Sequence, residues 1–593
     1  MTYLLTLSNV HNDDTSLTNE IKIGKAARLR FSDEVRPLKI PTKDGGYTLL
    51  FDAERNGKES FYNVGLPTER YLSNCPESAT LIVVSADGRI SARGGVTGIS
   101  AVFYSSQDGN VFVSDKPEML ASLVDAPLDI DEITIRLSDA EMIYPFHTGV
   151  VWSGVTMVPP GSEFVHDKQG FYVRRWWRDP EADLSLEEAA SQIRGSLRSN
   201  LSELIQDGKS VISDLSGGLD SSTITYWVGE YGIPFDAFTI RSTDPANTDI
   251  EWAVRAARDI GCNHHVLDQK DVWAYHESGA SNRFHALPEG PSEAERFLPL
   301  INLLQDRFAD PRGTVHLNGQ GGDELFGFIP AIPWSLNRSK GRRAKLEAWR
   351  IARANKLTSR ETLCVLTESR TPAEDLVELS KSGLDGREPV RALEPRWIPP
   401  RKLPSFATEE ARERFRAKCV EYAKMGLGDL MLHEDRVKHQ IKDNLMFHGA
   451  LMRRANKMLP VASGLTTRAL YLDQQIIAAS LSLSANDRIG GGCIKPVLAR
   501  ARPSSMPEEF FKRVDKGEYS SATFDEFRTL KSEIIEDFSQ GSILSEIGLI
   551  DIDELFRVLN GFSADGLEFD ELIKAHRVEK WVRSYRNSSF VTQ

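Results

Sequence analysis

The chain has 593 residues, 40% of them hydrophobic and 26% charged, with a formal net charge of −13. That length exceeds what one hydrophobic core organises, so two or more domains are expected. The acid excess argues against a general nucleic-acid grip, which needs basic surface to displace counterions, and runs such as "TLIVVSA" are far too short to cross a bilayer.

In chain order, the N-terminal "MTYLLTLSNVHNDD" has no basic flank before its short apolar segment, so no signal peptide is expected. Residues 1–177 read as β-rich: short alternating segments such as "GNVFVSD" (109–115) and "GFYVRRWW" (170–177) are broken by Asp-Gly and Pro-Pro-Gly turns. Trp176 and Trp177 are expected to seal a domain interface. At 178–201 the character changes. Ser185 and Glu188 form a capping box, and Leu186, Ala189, Ile193 and Leu197 keep helical spacing, which places a domain boundary near residue 180.

Beyond it strand and helix alternate. "KSVISDL" reads as a strand, "SSTITYWVGEYG" as a helix ending on Gly232, and "FDAFTI" as a second strand. "DIEWAVRAARDIG" reads as a helix ended by Gly261, and "NHHVLD" as a third strand whose His264 and His265 pack or bond locally. This alternation predicts a parallel sheet with helices on its faces and a ligand at the carboxyl ends of the strands. Residues 337–356 carry eight Lys/Arg and one acid. They read as a solvated helix face, with docking of an acidic partner as the alternative. From about 405 onward the chain is mostly helical in pattern. The five cysteines, Cys75, Cys262, Cys364, Cys419 and Cys493, are scattered without CxxC spacing. They read as reduced thiols of a cytoplasmic protein, not as a zinc site.

The segment that carries chemistry is Ser216-Gly217-Gly218-Leu219-Asp220-Ser221-Ser222, set between a strand and a helix. Glycines let backbone N–H groups face an anion, the helix start adds its positive end, and the serine hydroxyls add donors. The lysine of a GxxxxGK[ST] loop is absent, so this is a different phosphate grip.

The segment resembles the pyrophosphate loop of the ATP-pyrophosphatase family. "HLNGQGGDELFG" (316–327), the stretch from "DNLMFHGALMRRANKM" to "GGGCIKPVLARA" (443–501) and "FFKRVDKGEYS" (510–520) resemble segments of its asparagine synthetase branch. The resemblance implies an α/β (α+β overall) protein. Residues 1–180 would form a degenerate N-terminal-nucleophile, glutaminase-like domain, and residues 181–593 an asparagine synthetase-like ATP-pyrophosphatase domain with a parallel sheet and a helical C-terminal part. It implies ATP and Mg2+ as cofactors, with Asp220 and Asp323 as magnesium carboxylates and Ser216, Gly217, Gly218, Ser221 and Ser222 around pyrophosphate. Leu215, Ile240 and Gly319 would set their backbone against adenine, Lys495 would contact phosphate, and Lys516 would stabilise the transition state.

Two departures refine the reading. The glutaminase needs a cysteine directly after the initiator, and here that position is Thr2. Gln320 stands where related β-lactam synthetases carry a tyrosine and asparagine synthetases an acid. The first points to an amine brought by the substrate itself; the second removes the base those relatives use and leaves deprotonation to a substrate group, a phosphate or water. In detail the motifs resemble those of lasso peptide cyclases, which implies adenylation of an Asp or Glu side chain of a precursor core peptide and ring closure by the peptide's own amine. A leader peptidase and a leader-binding protein are the partners this implies, with no nucleic acid and no integral membrane segment. The alternatives are a β-lactam or asparagine synthetase-like ligase for a small molecule, and a non-catalytic nucleotide-binding assembly protein.

Overall fold

The computed structural model describes residues 3–7, 19–23, 27–32, 37–41, 46–52, 77–138, 143–272, 288–310, 313–382, 393–425, 432–459, 464–489, 494–513, 520–561 and 567–587. It is a mixed α/β protein. An N-terminal β-rich region is followed by a parallel sheet, and helices cover the remainder.

The N-terminal region holds two antiparallel six-stranded sheets. One runs Val155–Met157, Phe103–Gln107, Asn110–Ser114, Tyr3–Leu7, Ala27–Phe31, Asn19–Ile23 in spatial order. The other runs Gly170–Arg175, Ser162–Asp167, Ile90–Arg93, Ala79–Val84, Tyr47–Asp52, Leu38–Pro41. Period-2 patterning explains their stacking. Tyr3, Leu5, Leu29, Phe51 and Ile82 meet in one core between the sheets. Leu4 points the other way and joins Leu120 and Ile133 in a second core. That second core also takes Phe415, Ile534 and Trp581 from the C-terminal helices. Trp152 donates to Tyr585 Oη at 3.0 Å. The two parts of the chain therefore share a core as well as a surface contact.

Past Arg175 the chain enters helix α1 (Leu186–Gln206), closed at its start by the reciprocal Ser185–Glu188 box. Ala189, Ile193, Leu197, Leu201 and Leu204 are buried along one face, and each such leucine or isoleucine contributes about 1.5–3 kcal/mol. The parallel sheet consists of β1 (Ser210–Asp214), β2 (Asp236–Arg241), β3 (Asn263–Asp268), β4 (Thr314–Asn318) and β5 (Leu465–Ala469), in the order β3-β2-β1-β4-β5. Helix α2 (Leu219–Gly229) follows β1, and α3 (Asp249–Ile260) follows β2. The sequence placed α2 at 221–232; it starts two residues earlier because Gly218 takes the extended N-cap conformation. Gly261 ends α3 in the left-handed conformation, where a side chain is strained.

The short α4 (Gly322–Phe326) follows β4. Helix α5 (Arg342–Ala354) buries Ala344, Ala348 and Ala352 and turns its basic residues outward. Helix α6 (Arg436–Met458) runs from the N-terminal region to the edge of the parallel sheet, and α7 (Pro496–Ala501) follows Lys495. Trp176 stacks under the Arg93 guanidinium at 4.1 Å, and both Trp176 and Trp177 pack on the core beneath α1. His264 bonds Thr239 Oγ1 and His265 bonds Asp236 Oδ1, each at 2.8 Å. Cys262, Cys364 and Cys419 are free thiols, while Cys75 and Cys493 lie outside the described residues. Among the described residues no helix is long and apolar enough to cross a membrane.

Candidate active site

Strand order reverses at β1: its neighbours are β2 on one side and β4 on the other, and the chain leaves them in diverging directions. A crevice opens at the carboxyl ends of strands at such a point. Here it is a cavity of about 540 Å3, within the range of small-molecule sites.

Its floor is the turn from β1 into α2. Ser216 N–H donates to Ser221 Oγ at 3.1 Å, the two hydroxyls are 2.8 Å apart, and Gly218 N–H donates to Ser216 Oγ at 3.2 Å. The turn is tight enough to demand glycine at Gly217, where φ is +84° and a Cβ would lie 2.0 Å from the Asp249 carbonyl oxygen. Opposite, the β4–α4 turn presses onto α2 so closely that a Cβ on Gly322 would lie 2.3 Å from Asp220 Oδ1. This approach brings Asp323, on the first turn of α4, toward Asp220 on the first turn of α2.

Between the two carboxylates lies one ammonium. Lys495 Nζ is 2.7 and 2.5 Å from the Asp220 oxygens and 2.7 Å from Asp323 Oδ1. Lys495 is buried and sits in the left-handed conformation (φ +54°) just before Pro496. Burial alone would lower its pKa, but the two carboxylates outweigh that and hold it above its usual value. Burial outweighs the Lys495 charge at Asp220 and, with Asp323 beside it, leaves that carboxyl above its usual range. Two carboxylates converging on one cationic centre form an all-oxygen donor pair, which fits a hard divalent cation such as Mg2+.

The remaining walls are mixed. Phe238, Ile240 and Leu300 form an apolar side; Gly319, Gln320 and Gly321 a backbone-rich one; Ile494, Phe510 and Arg513 close the rim. Each acid in the lining is paired. His316 Nε2 lies 2.7 Å from Asp214 Oδ1, and His448 Nε2 lies 3.1 Å from Glu324 Oε1. Arg513 pairs with Asp249 and donates to the Gly217 carbonyl at 2.9 Å. Although burial opposes it, the His448 contact keeps the Glu324 carboxyl below its usual range.

Of the residues singled out by sequence, Ser216, Gly218, Asp220, Ser221, Ile240, Gly319, Asp323 and Lys495 line this cavity. Leu215, Gly217 and Ser222 lie behind it. Leu215 is fully buried, its N–H donating to the Phe238 carbonyl at 2.8 Å and its own carbonyl accepting from Thr239 Oγ1. The buried Ser222 hydroxyl has no hydrogen-bond partner among the described residues. Lys516 and Thr2 lie outside the described residues. Sequence reasoning passed over the His316–Asp214, His448–Glu324 and Arg513–Asp249 pairs. Arg513 stands in the same "FFKRVDKGEYS" segment as Lys516, and that proximity was the available signal.

Fold and site together define a mixed α/β protein with a charged cavity at the switch point of a parallel sheet. The asparagine synthase family pattern matches residues 192–585, and the chain belongs to that family. Asparagine synthetase [glutamine-hydrolyzing] 3 of Bacillus subtilis (strain 168) is 23% identical over 285 residues, spanning 42% of this chain and 44% of that protein. Among solved structures, the NH3-dependent NAD synthetase of Campylobacter jejuni subsp. jejuni aligns over 40% of this chain and 96% of its own, at 13% identity and TM-score 0.18. The glutamine phosphoribosylpyrophosphate amidotransferase of B. subtilis aligns over 55% of this chain and 71% of its own, at 9% identity and TM-score 0.18.

Proposed function

We propose that the chain is an ATP-dependent amide-forming ligase, and specifically a lasso peptide cyclase. The observation that supports it most is the meeting of Asp220 and Asp323 on one cationic centre beside the serine-lined start of α2.

In this reading a side-chain carboxylate of a core peptide attacks the α-phosphorus of ATP, forming an acyl adenylate and releasing pyrophosphate. The peptide's N-terminal amine then attacks the acyl carbon, AMP leaves, and the amine loses a proton as the amide forms. Ser216, Gly218 and Ser221 hold the pyrophosphate end, with Gly217 and Ser222 shaping the turn behind them, Lys495 contacts phosphate, and the wall with Ile240 and Gly319 faces adenine. Asp220 and Asp323 would hold Mg2+, which neutralises polyphosphate charge when bound. Lys516 stabilises charge developing in the transition state. A pocket that pre-folds the peptide places amine and adenylate together and keeps water from the adenylate.

Gln320 lines the cavity, and its amide cannot accept a proton near neutral pH, so the proton lost by the amine goes to a substrate group, a phosphate or water. Thr2 in place of the glutaminase cysteine favours an amine brought by the substrate over ammonia. The peptide would be delivered by a leader peptidase and a leader-binding protein, in a cytoplasm that keeps the thiols reduced.

The test is incubation of the full chain with Mg-ATP and candidate leaderless peptides. AMP together with a product lighter by one water supports the cyclase. Ammonia-dependent amidation, or lactam formation from a small amino acid, moves the assignment to the small-molecule ligases. ATP binding without AMP for every acid tried favours a non-catalytic assembly protein.

A further inference from the structure

Lys495 is more than a phosphate contact held in reserve. Its ammonium is within 2.7 Å of both carboxylates, it is 5% exposed at the side chain, and the backbone that aims it is left-handed in a non-glycine residue preceding proline. Such a conformation is sterically unfavourable by roughly 1–2 kcal/mol, so packing and the two ion pairs must hold it. Asp220 is 17% exposed at the side chain and sits against a buried ammonium, so removing one partner of that pair is strongly destabilising; Asp323, 57% exposed, meets the same ammonium from the cavity side. Asp220 and Asp323 thus already have their cation, supplied by the chain itself.

We propose that Lys495 excludes free divalent cations from the Asp220–Asp323 pair, so that the site takes its metal only as the metal–nucleotide complex. The polyphosphate is what releases the lysine. Its oxygens offer the ammonium a new anionic partner, which frees the carboxylates to meet the incoming cation. Lys495 is then a positioning residue that sets the order of binding and selects a cation–polyphosphate complex over either component. The inference rests on the nucleotide site proposed above, but it reads metal binding rather than amide formation.

The experiment uses the full chain and Mn2+, with protein-bound Mn2+ measured by equilibrium dialysis, with and without α,β-methylene ATP. For the wild type, Mn2+ alone should bind at least ~10-fold more weakly than Mn2+ with the analogue, within the usual range of coupling between ligands. Lys495→Met should gain Mn2+ binding without nucleotide by a similar factor. It should also melt at a lower temperature than wild type and recover on adding Mg2+, which leaves the wild-type melting temperature unchanged. Adding Asp323→Asn to Lys495→Met should remove the gained Mn2+ binding, which locates it. Should Lys495→Met fail to fold, Lys495→Gln keeps a polar chain without the charge and carries the same expectation.

The proposal is overturned if the wild type binds Mn2+ equally with and without the analogue. A folded Lys495 variant that binds Mn2+ no more tightly than wild type also overturns it. Failure to form an amide with any acid, while these binding results hold, refutes the ligase and leaves the exclusion by Lys495 standing.

Discussion

Helix α6 passes through two regions that treat buried titratable groups in opposite ways. Around Asp443 and Thr97, where it meets the N-terminal region, burial pushes them toward the neutral form, while nearer its end Arg453, Arg454 and Lys457 pair with the buried Glu289. Asp443, on α6, accepts from Tyr144 N–H at 2.6 Å and has its carboxyl pushed up to about 7. His147 beside it is pushed down to about 3. Glu77, accepting from Val96 N–H, Thr97 N–H and Thr97 Oγ1, is pushed up to about 7. Further along, His448 and the neighbouring cavity groups are arranged in pairs of opposite charge, and Lys495 is held charged despite its burial. Desolvation acts in both places; it wins at Asp443, His147 and Glu77, whereas the two carboxylates outweigh it at Lys495. The seam uses polar groups as neutral hydrogen-bonding struts, whereas the cavity keeps charge available for a charged ligand.

The largest effects should come from the two cavity acids and from Lys516 of the "FFKRVDKGEYS" segment. Asp220→Ala, Asp323→Ala and Lys516→Ala should each cut AMP release by about 10²–10³-fold or more, the scale of losing one preorganised electrostatic group. Lys516→Ala should disturb ATP binding least. Wild-type turnover in any of the three breaks the assignment of the cavity as the reactive region.

A pair of glycine substitutions sharpens the contrast further. A Cβ on Gly449, in the seam, would lie 2.1 Å from the Thr97 carbonyl oxygen, and one on Gly322 would lie 2.3 Å from Asp220 Oδ1. Gly449→Ala should destabilise by about 1–3 kcal/mol, lowering the melting temperature while leaving nucleotide affinity of the folded protein intact. Gly322→Ala should displace Asp220 from Lys495, so it should weaken nucleotide binding of the folded protein as well as lower the melting temperature. Equal effects of both on nucleotide affinity would erase the distinction between the regions.

Next in size is a pH effect confined to the seam. The Asp443 carboxyl ionises near 3.8 in the unfolded chain and near 7 in the folded one. Below about pH 4 it is protonated in both states. As pH rises the unfolded chain ionises first, so stability falls by about 1.4 kcal/mol per pH unit until the folded group ionises too. Asp443→Asn removes that term. Its advantage over wild type should widen from pH 4 to 7 and stay level above, as read by thermal melts across pH. The smallest effect belongs to neither region. Arg350 on α5 is 80% exposed at the side chain and pairs only loosely with Glu347 at 3.3 Å, so Arg350→Ala should change stability by less than about 0.5 kcal/mol.

Most of the parallel half was legible in the sequence because its signals are local. A strand, a glycine-rich turn and a helix start lie within fifteen residues at 210–224, and β3 has the predicted bounds. The capping box at Ser185 and the left-handed Gly261 were equally readable, since each depends on its immediate neighbours. The strand order of the two antiparallel sheets and the core that the N-terminal region shares with the C-terminal helices were not legible. They join residues hundreds of positions apart, such as Trp152 and Tyr585.

By itself the sequence determined a phosphate-type turn, two acidic motifs and an alternating α/β pattern, because backbone conformation and helix capping are decided within a few residues. Only the tertiary structure decided that the two acids share one cation and that this cation is Lys495, 275 residues from Asp220. It also decided which acids of the cavity are paired, with Asp249 facing Arg513 and Glu324 facing His448. Charge pairing depends on distance in space and on burial, and a linear sequence records neither.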